Sequence, residues 1–323
     1  MSLKTLVLWT CLFLIVFSAQ SPAGAVRPGE TAVNIMALQG PTGLTLLKMI
    51  QDNPVFCPNV TASYTLLKGP DQIIAKIISG EADIAALPTN LAAILYNKGI
   101  SIRLLAVTNW GVNYVIGRDP SIRTWTDLKG KEVAIAPPGA TPDLLFRFIL
   151  ENNDLNPEAD IKLIYYSTPV ELAQLMIAGR VELGVLPEPW VSQVILKETK
   201  TEILLDFQEE WKKIHNQNRS YPQSCLVVKT EFAQEYPEII SAFLREAAAS
   251  GAWVKQNPNQ AGILAEKHLS IQAEAGPLAI PRCNLDFLRP LEVKGEIEAF
   301  LHALYKYNPD SIGARIPDAN FYQ

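Results

Sequence analysis

Residues 70–90 read PDQIIAKIISGEADIAALPTN, and residues 169–189, 99 positions further on (169 − 70), read PVELAQLMIAGRVELGVLPEP, so one stretch occurs twice. In each copy, apolar residues at helical spacing are followed by a glycine, which suits the left-handed conformation that ends many helices. A short apolar run that ends in proline comes next and predicts a strand buried on both faces. Each copy therefore predicts one helix and one strand of an α/β sheet.

The two copies indicate two similar half-structures with a ligand site between them. Parallel sheets carry helices on both faces, and open α/β sheets bind ligands at the carboxyl ends of their strands. The loops that follow the two repeat strands, at Thr89 and at Glu188, lie at such ends. We therefore predict an α/β protein with two lobes and a cleft between them.

The first residues have the pattern of an export signal. Lys4 precedes an apolar core at residues 6–17, and Ala23-Gly24-Ala25 forms a small-x-small cleavage site. We predict a signal peptide at residues 1–25, because the apolar run is shorter than the roughly 20 residues that a membrane span needs. Most of the apolar core follows Cys11, so we expect no lipid anchor.

Composition excludes some classes of function. The net charge of −5 and the absence of a basic block argue against a nucleic-acid partner. The mature chain of about 300 residues is longer than one compact core usually holds, which suits two lobes. Its cysteines, Cys57, Cys225 and Cys283, are too few and too widely spaced for a disulfide framework. We expect buried free thiols, with the pairing of two of them left open.

Two further loops follow predicted strands and open predicted helices. Residues 39–43 (QGPTG) and residues 137–143 (PPGATPD) both leave backbone N–H groups free at a helix start, where an anion or a carbonyl group can bind. Thr141 is the predicted cap, with Pro142 as the first helical residue. The first loop serves equally well as a plain turn that needs no ligand.

Aromatic residues mark candidate walls of the cleft. Trp110 lies at a break between two predicted strands, 102–108 and 112–117, as expected where a chain crosses between lobes. Trp110 and Tyr114 line the cleft in this interpretation, and are ordinary core residues in the alternative. In the sequence Pro187-Glu188-Pro189-Trp190, two prolines stiffen the loop that carries a carboxylate and a flat ring. The alternative here is a surface loop with a solvated Glu188 and a core Trp190.

The segments ADIAALPTN, VELGVLPEPW, WTDLKGKEVAIAPPGATPD and IGARIPDANFYQ carry a family resemblance. With them, nearly all of the mature chain resembles the substrate-binding proteins of nitrate/sulfonate/taurine-type ABC importers. The resemblance implies a type 2 periplasmic-binding-protein fold with two hinge crossings. Lobe one would hold residues 26–109 and 224–323, and lobe two residues 110–223. A monomeric periplasmic receptor would close its lobes on one small solute and present it to an ABC permease and its ATPase.

The resemblance also implies a set of binding residues, with no catalytic residue, metal or cofactor. The implied ligand-binding residues are Gln39, Gly40, Pro41, Thr42, Thr89, Asn90, Trp110, Gly139, Ala140, Thr141, Glu188, Trp190 and Tyr221. None of these loops holds Arg or Lys, the usual partners of an oxyanion. We therefore favour a flat, neutral or nitrogen-bearing heterocycle over a nitrate-like or sulfonate-like ligand, which is the alternative.

Two other classes of function, an enzyme and a sensor domain, are alternatives to a receptor. The thiamine pyrimidine synthase is similar to this family, but it carries a CCCFC motif that this chain lacks. The histidines, His215, His268 and His302, lie outside the predicted loops in contexts typical of a surface, and no catalytic signature lies near the cleft. We therefore expect no enzyme. An exported sensor domain that reports ligand occupancy to a membrane receptor is the remaining alternative.

Overall fold

Two β-sheets flanked by helices organise the chain in a computed structural model that describes residues 31–322. The predicted signal peptide and Cys11 lie outside the described residues. The strands are β1 (Thr31–Leu38), β2 (Val60–Leu67), β3 (Ile84–Pro88), β4 (Ile102–Trp110), β5 (Asn113–Gly117), β6 (Glu132–Ile135), β7 (Lys162–Tyr165), β8 (Leu183–Pro187), β9 (Glu202–Asp206), β10 (Pro222–Lys229) and β11 (Leu285–Leu288).

Helices connect these strands and cover the sheets. The α-helices are α1 (Leu47–Asp52), α2 (Pro70–Ile78), α3 (Thr89–Asn97), α4 (Thr141–Glu151), α5 (Pro169–Ile177), α6 (Trp190–Lys197), α7 (Phe207–His215), α8 (Thr230–Glu235), α9 (Pro237–Gln256), α10 (Pro258–Leu269), α11 (Gly276–Arg282) and α12 (Lys294–Tyr307). Short 3₁₀ helices lie at Pro41–Leu46, Trp125–Leu128, Pro290–Val293, Pro309–Ile312 and Ala319–Tyr322. No helix within residues 31–322 is long and apolar enough to cross a membrane.

The two sheets share one arrangement. The first has the order β2-β1-β3-β10-β4-β11, and the second has the order β7-β6-β8-β5-β9. In each, the first three strands are parallel, and the fourth is antiparallel to the third. The carboxyl ends of the parallel strands therefore lie along one edge of each sheet. The predicted α/β class with two sheets is confirmed.

The sequence repeat corresponds to a structural repeat. Helix α2 and strand β3 have the same lengths as α5 and β8, and all four boundaries differ by 99 positions (169 − 70 and 183 − 84). Gly80 and Gly179 follow the two helices with φ of 74° and 71°. Their amides donate to the carbonyl oxygens of Ile77 and Met176 at 3.1 and 3.0 Å. Because a side chain at these φ values would strain the backbone, the predicted helix-ending role of both glycines is confirmed.

The chain passes from one sheet to the other twice. Strand β4 ends in the first sheet and β5 begins in the second sheet three residues later, at Asn113. Between them Gly111 has φ of 71°, and an added Cβ there would lie 2.7 Å from side-chain atoms of Gln208 and Ser220. The chain returns between α7 and β10. A division into hinged lobes at 109/110 and 223/224 stays a proposal.

Several elements are not apparent from the local sequence pattern. The helical segment after β1 starts as the 3₁₀ turn Pro41–Leu46, and the helical segment after β10 is split before Pro237, which lacks an N–H donor. Helix α11 was not predicted, because Pro281 interrupts its pattern. After α12 the chain forms two 3₁₀ helices, Pro309–Ile312 and Ala319–Tyr322.

The histidine and cysteine predictions had different outcomes. His215 was expected at the surface, but it is half-buried with its ring centroid 4.2 Å from that of Trp211, and burial lowers its pKa. Cys57, Cys225 and Cys283 are free thiols, as expected. Cys225 and Cys283 are buried, whereas Cys57 is partly exposed.

Candidate functional site

A cavity of about 330 Å³ lies where strand ends of the two sheets meet. Its walls come from the carboxyl ends of β1, β2 and β8, from the start of β10, and from the segment that follows α10. The lining residues are Gln39, Gly40, Pro41, Thr42, Lys68, Val112, Pro187, Glu188, Pro189, Trp190, Gln223, Ser224, Leu269, Ser270 and Ile271. A larger hollow of about 890 Å³ is lined by residues 118–134 and 164–183, around the second sheet alone. The smaller cavity has the position at which open α/β sheets bind ligands.

Six predicted binding residues line this cavity: Gln39, Gly40, Pro41, Thr42, Glu188 and Trp190. Gly40 has φ of 87° and ψ of −155°, a conformation open essentially to glycine alone. Its amide donates to the carbonyl oxygen of Leu269 at 3.0 Å, which ties the loop after β1 to the end of α10. The Gln39 Oε1 atom accepts a hydrogen bond from the Ser270 hydroxyl at 3.1 Å. The Thr42 and Ser224 hydroxyls lie 3.2 Å apart.

Two predicted aromatic residues lie outside the cavity walls. The Trp110 indole N–H donates to the carbonyl oxygen of Asp286 at 2.9 Å, and its ring lines another cavity. Tyr221 is fully buried, and its hydroxyl donates to Gln208 Oε1 at 2.8 Å. Tyr114, considered as a cleft wall, is buried with its hydroxyl donating to the carbonyl oxygen of Arg282. The polar atoms of all three rings have partners within the protein.

The remaining predicted residues also lie outside this cavity. Thr89 is buried, and the Asn90 amide donates to the carbonyl oxygen of Ser311 at 3.2 Å. Thr141 is the first residue of α4 rather than its cap, a position that Ala140 takes without a side-chain hydrogen bond. The backbone amide of Gly139 donates to Asp143 Oδ2 at 2.7 Å. A ligand-binding role for these residues stays a prediction.

Glu188 contacts the protein at each carboxylate oxygen. Its side chain is 0% exposed and accepts hydrogen bonds from the Ser192 amide at 3.1 Å and the Ser192 hydroxyl at 2.9 Å. Arg282 Nη1 lies 3.5 Å from Oε1. Burial raises the pKa of Glu188, and the contacts with Ser192 and Arg282 offset part of that rise. The carboxylate thus holds the first turn of α6 and joins it to α11.

Lys68 was missed by the sequence reasoning, although it directly follows β2 at the same sheet edge as Gln39. Its side chain is exposed, and it forms no ion pair within residues 31–322. The signal that could have found it is the strand-end rule, which applies to β2 as it does to β1. Lys68 supplies the cation that the loops considered from the sequence lacked.

The other walls offer a flat ring, apolar surface and polar atoms. Trp190 is half-buried at the first position of α6, and Val112 and Ile271 are apolar lining residues. Gln223 Oε1 is buried and has no hydrogen-bond partner in the described part of the chain. No group of three or more residues suited to hold a metal ion occurs within residues 31–322.

Two α/β sheets of matching order, with a cavity between their strand ends, are the arrangement of the two-lobe periplasmic-binding-protein fold. The fold is that of the periplasmic aliphatic sulphonate-binding protein SsuA from Escherichia coli, with a TM-score of 0.71 at 19% identity over 91% of this chain and 99% of that one. The predicted two-lobe fold is therefore confirmed. The chain belongs to the NMT1-like family, whose sequence model matches residues 68–268.

Two further relatives are informative. An ABC transporter protein from Parabacteroides distasonis has a TM-score of 0.80 and 29% identity, over 91% of this chain and 99% of that one. The nitrate/nitrite-binding protein NrtA of Synechococcus elongatus is 24% identical over 147 residues, which are 44% of this chain and 31% of NrtA. The match thus spans about a third of the length of that curated relative. The resemblance to binding proteins of nitrate/sulfonate importers is confirmed.

Proposed function

We propose that this protein is the periplasmic solute receptor of an ABC import system, and not an enzyme. It binds one small molecule in the cavity between the sheets and presents it, as a monomer, to a permease with its ATPase. The main support is the cavity itself, which joins strand ends of both sheets and is lined by Lys68, an exposed cation without an ion pair in residues 31–322. The relatives named as an ABC transporter and as SsuA support the proposal.

We further propose that the solute combines an anionic head group with a flat or apolar body. Lys68 is available to pair with an anion, whereas the Glu188 carboxylate is already held by Ser192 and Arg282. Trp190 and Ile271 offer surface to a ring or an alkyl chain. The volume of about 330 Å³ lies at the lower end of the range for small-molecule sites and exceeds the needs of a nitrate ion. This proposal favours the oxyanion alternative for the head group and keeps the planar body that we expected from the sequence.

A thermal-shift screen of the unfolded and refolded mature protein tests the solute class. We expect aryl and alkyl sulfonates or carboxylates to raise the melting temperature, because a ligand at a hundredfold excess over its Kd stabilises by about 2.7 kcal/mol. Lys68→Gln should weaken binding of the best solute about tenfold or more, because a hydrogen bond to a charged group contributes about 1.5–3 kcal/mol.

Lys98→Gln is the matched control, since Lys98 is an exposed lysine directly after α3 and away from the cavity. It should leave the affinity unchanged. If neutral pyrimidines or flavins bind, and bind Lys68→Gln as tightly as the wild type, the proposal of an anionic head group is wrong. That result would still agree with the proposal that the protein is a solute receptor.

A further inference from the structure

A second cavity, of about 490 Å³, lies beside the crossing between the sheets and shares no lining residue with the solute cavity. Trp110, at the end of β4, forms one wall, and residues 218–220 of the returning chain form another. Lys212 comes from α7, which packs on β5 of the second sheet, and Lys255 comes from α9, which packs on β11 of the first. The cavity is thus built from elements of both sheets, and its size suits a small molecule.

Cations outnumber carboxylates in these walls. Lys212, Arg219 and Lys255 line the cavity together with one acidic residue, Asp286. Lys212 is paired with Glu209 at 2.7 Å, and Arg219 lies 3.8 Å from Glu296 with 45% of its side chain exposed. Lys255 forms no ion pair within the described part of the chain. Because exposed ion pairs are weak, Arg219 and Lys255 are both available to a bound anion.

The same cavity contains a buried polar group without a partner. Ser220 is 3% exposed, and its Oγ atom has no hydrogen-bond partner within residues 31–322. Buried hydroxyl groups nearly always have a partner, so each exception needs an explanation. Ser220 lines the cavity, and in the site proposed below its O–H group donates to the bound molecule. An oxyanion accepts from such a donor and from both cations.

We propose that this hinge cavity, defined by Trp110, Arg219, Ser220 and Lys255, binds a small phosphate-type or carboxylate oxyanion. The site is separate from the solute cavity and goes beyond the receptor function. An anion held there contacts elements that pack on different sheets, so its binding is coupled to movement between them. The receptor would therefore respond to a second small molecule besides its solute.

The test follows the indole ¹H–¹⁵N resonance of Trp110, assigned with Trp110→Phe, during titration of the mature protein with inorganic phosphate and with citrate. Sodium chloride keeps the ionic strength constant, so that general screening does not imitate binding. We expect a saturable shift with at least one of the two anions. The double variant Arg219→Gln/Lys255→Gln, which changes exposed residues only, should weaken binding tenfold or more, and Ser220→Ala about threefold.

Two further variants make the result specific. Lys197→Gln removes the charge of an exposed lysine outside the cavity and should leave the titration unchanged. Lys68→Gln should also leave it unchanged, because Lys68 lines the solute cavity. A linear shift without saturation, equal affinity in the double variant, or loss of the shift in Lys68→Gln would overturn the proposal. The last result would place the anion in the solute cavity and support the receptor function alone.

Discussion

Gly276→Val is expected to lower the free energy of unfolding by about 3 kcal/mol, because overpacking of a close backbone contact cannot be relieved by a side-chain rotation. Helices α10 and α11 cross at Gly262 and Gly276. A Cβ added to Gly276 would lie 2.4 Å from the Cα atom of Gly262, and one added to Gly262 would lie 2.9 Å from the carbonyl oxygen of Ala273. The helices must therefore separate, which opens the apolar cluster around Leu269 and Ile280.

Gly295→Ala is the matched control for this prediction. Gly295 lies in α12, and an added Cβ there would have no heavy atom within 4 Å. Alanine at such a helical position should keep or raise stability, by up to about 1 kcal/mol. Urea unfolding followed by circular dichroism measures both midpoints. A Gly276→Val midpoint equal to that of the wild type would show that the helices do not depend on this contact.

The fold was predictable because its signals are local. Each copy of the repeat indicates a helix, its end and a strand within 21 residues. The helix ends at a glycine, Gly80 or Gly179, and the apolar run after the glycine forms the strand. Elements whose conformation depends on distant residues were not predicted. Helix α11 contains Pro281, so its residues lack a clean helical pattern, and packing against α10 decides its conformation.

The candidate site was predictable in part, for a similar reason. The loops at 39–42 and 188–190 follow strands that the repeat and the apolar pattern identify, so the strand-end rule alone selects them. Leu269, Ser270 and Ile271 reach the cavity only because α10 packs on the first turn after β1, a contact across more than 200 residues. No sequence pattern in either segment indicates it. No sequence pattern indicates the contact between Arg282 and Glu188 either, since the two residues are 94 positions apart.

Glu188→Gln is expected to change how stability depends on pH. Burial raises the pKa of Glu188 above its ordinary value of 4.5. Between pH 4.5 and the raised pKa, the folded protein therefore keeps a proton that the unfolded chain releases. This carboxyl group stabilises the fold fully below pH 4.5, and its contribution is lost as the pH rises through the raised pKa. Glutamine resembles the protonated acid and removes this loss. Relative to the wild type, the variant should gain about 1.4 kcal/mol at pH 8 for each unit by which the pKa is raised.

Urea midpoints between pH 4.5 and pH 8 test this sign. Glu274→Gln, at an exposed position without an ion pair in residues 31–322, should show no such gain. Glu188→Ala also removes the acceptor for the Ser192 amide, so at every pH it should be about 1–2 kcal/mol less stable than Glu188→Gln, the cost of losing a helix cap. If Glu188→Gln instead loses stability as the pH rises, the ion pair with Arg282 outweighs burial. The link between α6 and α11 would then be strongest when Glu188 is charged, because the 3.5 Å contact joins a carboxylate to a guanidinium that is 31% exposed.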